Sequence, residues 1–209
     1  MPSVTPSPRR SATRERVLTA ASEVFAEKGF GGASVEDICE RAGFSRGAFY
    51  SNFASKDELV LGLSRQHAEA TVARIRTAAS RPDSTPDDVI RDVFAALSDD
   101  ARRNDRWLVL TTEFTLHAIR NRGARRAWVS RQREIRSALV EVVDEAVASR
   151  GLTLPMPTEV FVRAAMALAN GSATQRLVEP GALEQGELER TVLPVLLAGG
   201  GGHGHGTGA

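Results

Sequence analysis

Apolar positions recur along this chain three and four residues apart, with no sustained alternation, so the pattern predicts helices and no strands. From Thr13 to Lys28, Val17, Ala21, Val24 and Phe25 share one helical face, and Gly29 ends the run. Val35, Ile38, Cys39 and Ala42 mark a short amphipathic helix, with Ser34 as its N-cap and Asp37 as capping-box partner. Gly43 stops it, where glycine enters the left-handed region at little cost. Ser45 opens a second short helix reaching about Phe53, in which Phe49 and Phe53 face inward together with Phe44. Two short helices around a glycine turn make a helix-turn-helix.

The remaining pattern is also helical. Ser55 and Glu58 form an S-x-x-E capping box that opens a connecting helix to about Ala79. Arg81 to Pro86 breaks it, and Thr85 with Pro86 restarts a helix to about Arg102. Further helices are expected from Asp105 to Arg120, Ala124 to Ser149, Thr158 to Leu177 and Ala182 to Leu197, with Pro194 kinking or interrupting the last. The expected fold is all-α. A flexible arm (1–11) precedes a three-helix helix-turn-helix domain (12–56). A helical regulatory and dimerisation domain (57–198) and a disordered Gly/His tail (199–209) follow.

The second short helix has the chemistry of a recognition helix, which enters the DNA major groove by its N-terminal end. Its outward face carries Ser45, Arg46, Gly47, Tyr50, Ser51 and Asn52. Arg46 suits a bidentate contact with guanine, or a phosphate. Gly47 holds nothing between backbone and duplex, and the Tyr50 hydroxyl suits a phosphate oxygen. Lys56 beside the next helix N-terminus forms a candidate phosphate clamp. Ser34, at the start of the preceding helix, completes the set of candidate DNA contacts. Gly43 to Gly47 also fits the G-x-S-x-G nucleophile elbow, but that elbow needs a buried strand before it. The charged segment Glu36 to Arg41 precedes it here, so the match is coincidental.

Composition narrows the reading only slightly. Formal net charge is +1, which excludes a polycation that binds nucleic acid by bulk charge. Residues 1–56 hold eight Lys/Arg against six Asp/Glu, and the rest of the chain is net −1. Arg9 and Arg10 in the arm are candidates for touching a phosphate or the minor groove, as other arms do. Cys39 is the single cysteine, so no intrachain disulfide is available. No apolar run is long enough to span a bilayer and no signal-peptide core follows Arg9 and Arg10, so a cytoplasmic protein is expected. His203 and His205 on a glycine tail make a poor metal site. No cofactor, metal or catalytic constellation is expected.

The string Gly43-Phe-Ser-Arg-Gly-Ala-Phe-Tyr-Ser-Asn-Phe-Ala-Ser-Lys-Asp-Glu-Leu59, with Val24-Phe-Ala-Glu-Lys-Gly-Phe30 before it, resembles the TetR family of bacterial transcriptional regulators. The similarity runs from about Arg14 to Leu63; beyond it only helical pattern and length agree. Asn52 departs from the histidine or tyrosine of many members, and its amide is expected to donate to a phosphate. The resemblance implies a dimeric repressor on a near-palindromic operator, released by a small effector. The helix from Thr158 carries Val160, Ala164, Ala167, Leu168 and Gly171, which with Leu193, Val195 and Leu196 suit packing within one subunit or between two; the resemblance favours the second. For the effector, Trp107, Phe114, Trp128 and Met166 are candidate apolar lining, with Thr111, Glu113, His117, Gln132 and Asn170 as polar contacts. The competing classes are a ligand-independent or architectural DNA-binding protein, and a helical enzyme or carrier with a degenerate helix-turn-helix.

Overall fold

The computed structural model describes residues 8–81, 85–98 and 101–198. Among the described residues there are nine α-helices and no strand: α1 (Pro8–Gly32), α2 (Val35–Ala42), α3 (Arg46–Tyr50), α4 (Lys56–Ala79), α5 (Pro86–Ser98), α6 (Ala101–Arg120), α7 (Arg122–Ala148), α8 (Thr158–Val178) and α9 (Glu187–Ala198). The chain divides into two compact units. The first combines residues through Ala68 with Arg106–Gln132; the second combines Glu69–Asp105 with Arg133 onward. The unit that holds the helix-turn-helix therefore extends past residue 56 and recruits segments of α4, α6 and α7.

In the first unit, α1 begins at Pro8, so residues 8–11 of the expected arm are helical. Proline suits a first helical position, where its missing N–H is not needed. Residues 1–7, like the Gly/His tail, lie outside the described residues. Gly29 takes φ 70 and ψ 171, which breaks α1, although a further turn continues to Gly32. The α1 face of Val17, Ala21, Val24 and Phe25 is buried against Ile38, Phe49, Phe53, Leu59 and Val60. α2 is capped as its sequence implies. Ser34 Oγ accepts the Asp37 N–H at 3.1 Å, and Asp37 Oδ2 accepts the Ser34 N–H at 3.0 Å. At its other end Gly43 has φ 68; its N–H reaches the Glu40 carbonyl and the Phe44 N–H reaches that of Cys39, a Schellman motif.

The Asp37 carboxyl is held down to about 2 by the Lys28 ammonium and then by the Ser34 N–H and hydroxyl. A folded value below the usual 3.8 means this contribution is intact above pH 3.8 and lost as pH falls toward 2. Melting curves of wild type and Asp37→Asn should therefore converge between those pH values. A separation that stays constant would show that the carboxylate contributes nothing there.

α3 is shorter than the expected run to Phe53. The N–H groups of Asn52 and Phe53 both turn back to the Phe49 carbonyl at 2.9 Å. The Asn52 amide occupies the Ala48 carbonyl at 2.8 Å, and the helix stops.

In the second unit α9 packs against α5 and α8 around Ile90, Phe161 and Leu193. α5 ends at Ser98, before the expected Arg102, and α6 begins at Ala101. α9 starts at Glu187 and not Ala182, because Gly181 and Gly186 both hold positive φ and keep the chain in turns. Pro194 lies inside α9, which continues through it. No described helix is long and apolar enough to cross a membrane. The described residues contain no His/Cys/Asp/Glu group able to hold a metal.

Candidate nucleic-acid interface

Ser45 sets the start of α3: its Oγ accepts the Ala48 N–H at 3.2 Å and leaves the first turn open to an incoming phosphate or base. Arg46 follows with its side chain 61% exposed and paired to Glu36 of α2. The Tyr50 hydroxyl and then Glu36 raise the Arg46 pKa further, so the guanidinium is always charged. An exposed pair of this kind is worth only about 0–1 kcal/mol, so guanine or phosphate can replace Glu36 at little cost. Tyr50 is half exposed and packs edge-on against Phe49, with centroids 5.2 Å apart. A Cβ on Gly47 would touch only Ser45 Oγ, at 3.8 Å, so nothing within the fold demands glycine there.

Others of the candidate contacts are also partly occupied within the fold. Ser34 Oγ caps α2. The Asn52 Nδ2 donates to Ala48 O and Ser51 Oγ, so the donor expected to reach a phosphate is engaged inward. Asn52 Oδ1 is buried without a partner. Lys56 also turns inward: its ammonium donates to the carbonyls of Phe30 and, at 2.8 Å, Ala33, and lies 4.4 Å from the Phe30 ring centroid. Burial pushes its pKa down. Lys56 therefore ties the start of α4 to the α1–α2 connection, leaving one of three N–H donors for a phosphate. Ser51 is exposed, and its Oγ donates to the Ala48 carbonyl at 2.8 Å.

Two arginines of α1 brace this surface and were not legible as such. Arg14 donates to the Asn52 carbonyl at 2.9 Å while stacking over Phe53. Arg16 donates to the Ala42 carbonyl at 3.3 Å over Phe44. Their only sequence signal is two cations at the start of a helix that precedes a helix-turn-helix.

The residues proposed to line an effector cavity divide between the two units. Trp107, Thr111, Phe114, His117 and Trp128 belong to the first, Met166 and Asn170 to the second. Phe114 is fully buried, and Trp128 packs edge-on against it at 5.1 Å. Trp107 stacks on His67 at 4.8 Å, and Thr111 Oγ1 bonds back to the Trp107 carbonyl. His117 meets Asp57 at 3.2 Å. Glu113 accepts the N–H of Phe30, a donor exposed by the Gly29 break. These side chains fill the core of the first unit and hold α6 to α1 and α4. Asn170 is exposed on α8, Met166 is half-buried, and Gln132 is half-buried at the end of the first unit. The second unit instead has an open groove of about 560 Å³ between α4 and α5, lined by alanines with Arg74, Arg81 and Asp92 as its charged groups.

The faces proposed for dimerisation are partly uncovered. Val160 and Val195 are 48% and 66% exposed, and a Cβ on Gly171 would meet nothing within 4 Å. Leu193 is buried, and Leu168 and Leu196 pack beside it within the subunit.

Comparison with known proteins agrees with this geometry. A family model described as bacterial regulatory proteins, tetR family, matches residues 17–63. A second, described as BetI-type transcriptional repressor, C-terminal, matches residues 86–197. The chain is 32% identical over 131 residues to the transcriptional repressor AcnR of Corynebacterium diphtheriae, covering 63% of each protein. It is 39% identical over 69 residues to the transcriptional activator FasR of Mycolicibacterium smegmatis, covering 33% of this chain and 32% of that one. The matched stretches thus span less than two thirds of these relatives. A TetR-family regulator from Rhodococcus sp. superposes with TM-score 0.72 at 19% identity, over 90% of this chain and 99% of that one, which shows the shared fold. With a helix-turn-helix built on Ser34, Gly43 and Ser45, and a C-terminal match covering most of the remaining helices, the chain belongs to the TetR family of bacterial regulatory proteins.

Proposed function

We propose that the protein is a sequence-specific DNA-binding transcriptional regulator of the cytoplasm, a homodimeric repressor whose DNA affinity falls when a small, largely apolar ligand binds. The observation that carries the reading is α3. Its capped N-terminal turn presents Arg46 and Tyr50 outward while Phe49 anchors it from beneath. Ser45, Gly47 and Ser51 lie on the same helix or its end, and Lys56 keeps one donor for the backbone. The uncovered Val160 of α8 and Val195 of α9 are compatible with pairing through those helices. A two-fold dimer meets two half-sites about one helical turn, or a multiple, apart. Repression is favoured by the BetI-type repressor match and by AcnR, although FasR is an activator.

The effector part rests on the open, alanine-lined groove between α4 and α5. α4 contributes Lys56 to the first unit and Ala73, Thr77 and Ala78 to the groove, so one helix serves both. A ligand acts only through its preference for the arrangement that binds DNA less well. By linkage, operator DNA then weakens ligand binding by the same factor, typically ~5–150-fold. The test begins with selection of duplexes from a random pool, which should return an inverted repeat bound by a dimer. A ligand found by thermal shift is then titrated with and without that duplex. A single asymmetric half-site bound by a monomer would overturn the dimer, and equal ligand affinities would overturn the coupling.

A further inference from the structure

We propose that the arginines at the α6–α7 corner form a second DNA-contacting surface, which grips the phosphate backbone beside the segment read by α3. Between Glu113 and Glu134 the chain contains no Asp or Glu but has six arginines. Four of them, Arg120, Arg122, Arg125 and Arg126, are exposed, and none has an acidic partner among the described residues. Several other exposed arginines are paired, Arg41 with Glu23 and Glu27, Arg46 with Glu36, Arg91 with Asp88 and Arg163 with Glu159, whereas Arg65 and Arg106 lack an acidic partner among the described residues but are not grouped as the corner arginines are. Four adjacent cations without counter-charges repel one another, and a polyanion is the partner that relieves this.

Position selects DNA among polyanions. The corner belongs to the same compact unit as the helix-turn-helix. Within that unit α6 runs antiparallel to the start of α4: Trp107 stacks on His67, and His117 meets Asp57. Each step of ten residues along α6 matches ten back along α4, so the register carries Arg120 to the level of Ala54, in the link from α3 to α4. Arg122 follows just past the single-residue break at Asn121, whose Oδ1 caps α7 through the N–H groups of Gly123 and Ala124. Trp128 reaches back to Thr115 at 3.2 Å, which keeps Arg125 and Arg126 at the same end of the unit. Phosphate contacts from this corner position the protein without reading sequence. The inference rests on DNA binding by α3 but adds a surface outside the helix-turn-helix.

The test uses the full chain and two duplexes, one selected by the wild-type protein and one of random sequence, across a salt series. Neutralising the corner (Arg122→Gln, Arg125→Gln, Arg126→Gln) should weaken both duplexes by a similar factor. The slope of log affinity against log salt should fall by roughly 2–3 units per subunit, or about 5 for a dimer bound to both half-sites, at ~0.9 per lost phosphate contact. The corresponding triple Arg→Lys variant should keep the slope, because charge and not fork geometry is at work. A control with the same charge change in the second unit (Arg76→Gln, Arg91→Gln, Arg163→Gln) should leave the slope near wild type. Circular dichroism should show all three variants folded. An unchanged slope in the corner variant, while Arg46→Ala still weakens the selected duplex, would overturn the second surface alone. An equal fall in the control would reduce the effect to bulk charge and overturn it too. Failure of the wild type to select any duplex would overturn α3 recognition and the corner together.

Discussion

Phe49→Ala should remove about 3–5 kcal/mol of folding stability, and DNA binding with it. Phe49 is fully buried in the centre of α3, 6.0 Å from the Phe53 ring and edge-on to Tyr50. α3 has five residues, far fewer than the ~12–15 at which an isolated helix becomes even marginal, so it is held by packing and not by its own hydrogen bonds. Truncation leaves a cavity beneath the surface proposed to meet the duplex. Against a typical total of ~5–15 kcal/mol for a domain, the loss is a large fraction. Denaturant midpoints for wild type and variant measure the first effect, and binding to the selected duplex measures the second. A loss below about 1 kcal/mol would mean that α3 is supported by something other than this ring.

Arg46→Ala should weaken binding to the selected duplex by about 1–3 kcal/mol while leaving random-sequence affinity nearly unchanged, as expected for a base contact. Its melting temperature should match wild type, because the exposed Glu36 pair contributes little to folding. Lys56→Ala makes the contrast. Loss of the ammonium leaves the Phe30 and Ala33 carbonyls short of a donor, at ~1–3 kcal/mol for an unsatisfied buried group. Lys56→Ala should therefore lower the melting temperature and weaken all duplexes alike. Equal losses for Arg46→Ala on both duplexes would reassign it to the phosphates. A Lys56→Ala protein that melts like wild type but binds less would restore it as a pure phosphate clamp.

Features closed within a few residues were legible from the residues alone. The Ser34–Asp37 box, the Gly43 Schellman turn and the Ser45 cap involve partners at most five residues apart, so side-chain chemistry and spacing specify them. The capping box at Ser55 is half realised. Ser55 Oγ accepts the Glu58 N–H, but the Glu58 carboxylate takes the Ala54 N–H, one residue earlier than the motif specifies. Phe49 and Phe53 as inward residues follow from helical period. The TetR resemblance of residues 43–59 is of the same local kind.

What the sequence by itself determined is thus the all-α class, the helix-turn-helix and its caps, because each depends on backbone geometry within a turn or two. Only the tertiary structure decided where long polar side chains end. Lys56 finds carbonyls 26 and 23 residues back in the chain, and Glu113 finds an N–H 83 residues away. Periodicity states which face of a helix is apolar but not which helix covers it. Phe114 and Trp128 were therefore equally consistent with a cavity lining and with the core they form. The acid-free arginine run of residues 114–133 was visible as a charge pattern. Whether those charges were neutralised across the fold, as Arg41 and Arg46 are, depended on which carboxylates the packing brought within reach, and for Arg120, Arg122, Arg125 and Arg126 it brought none among the described residues.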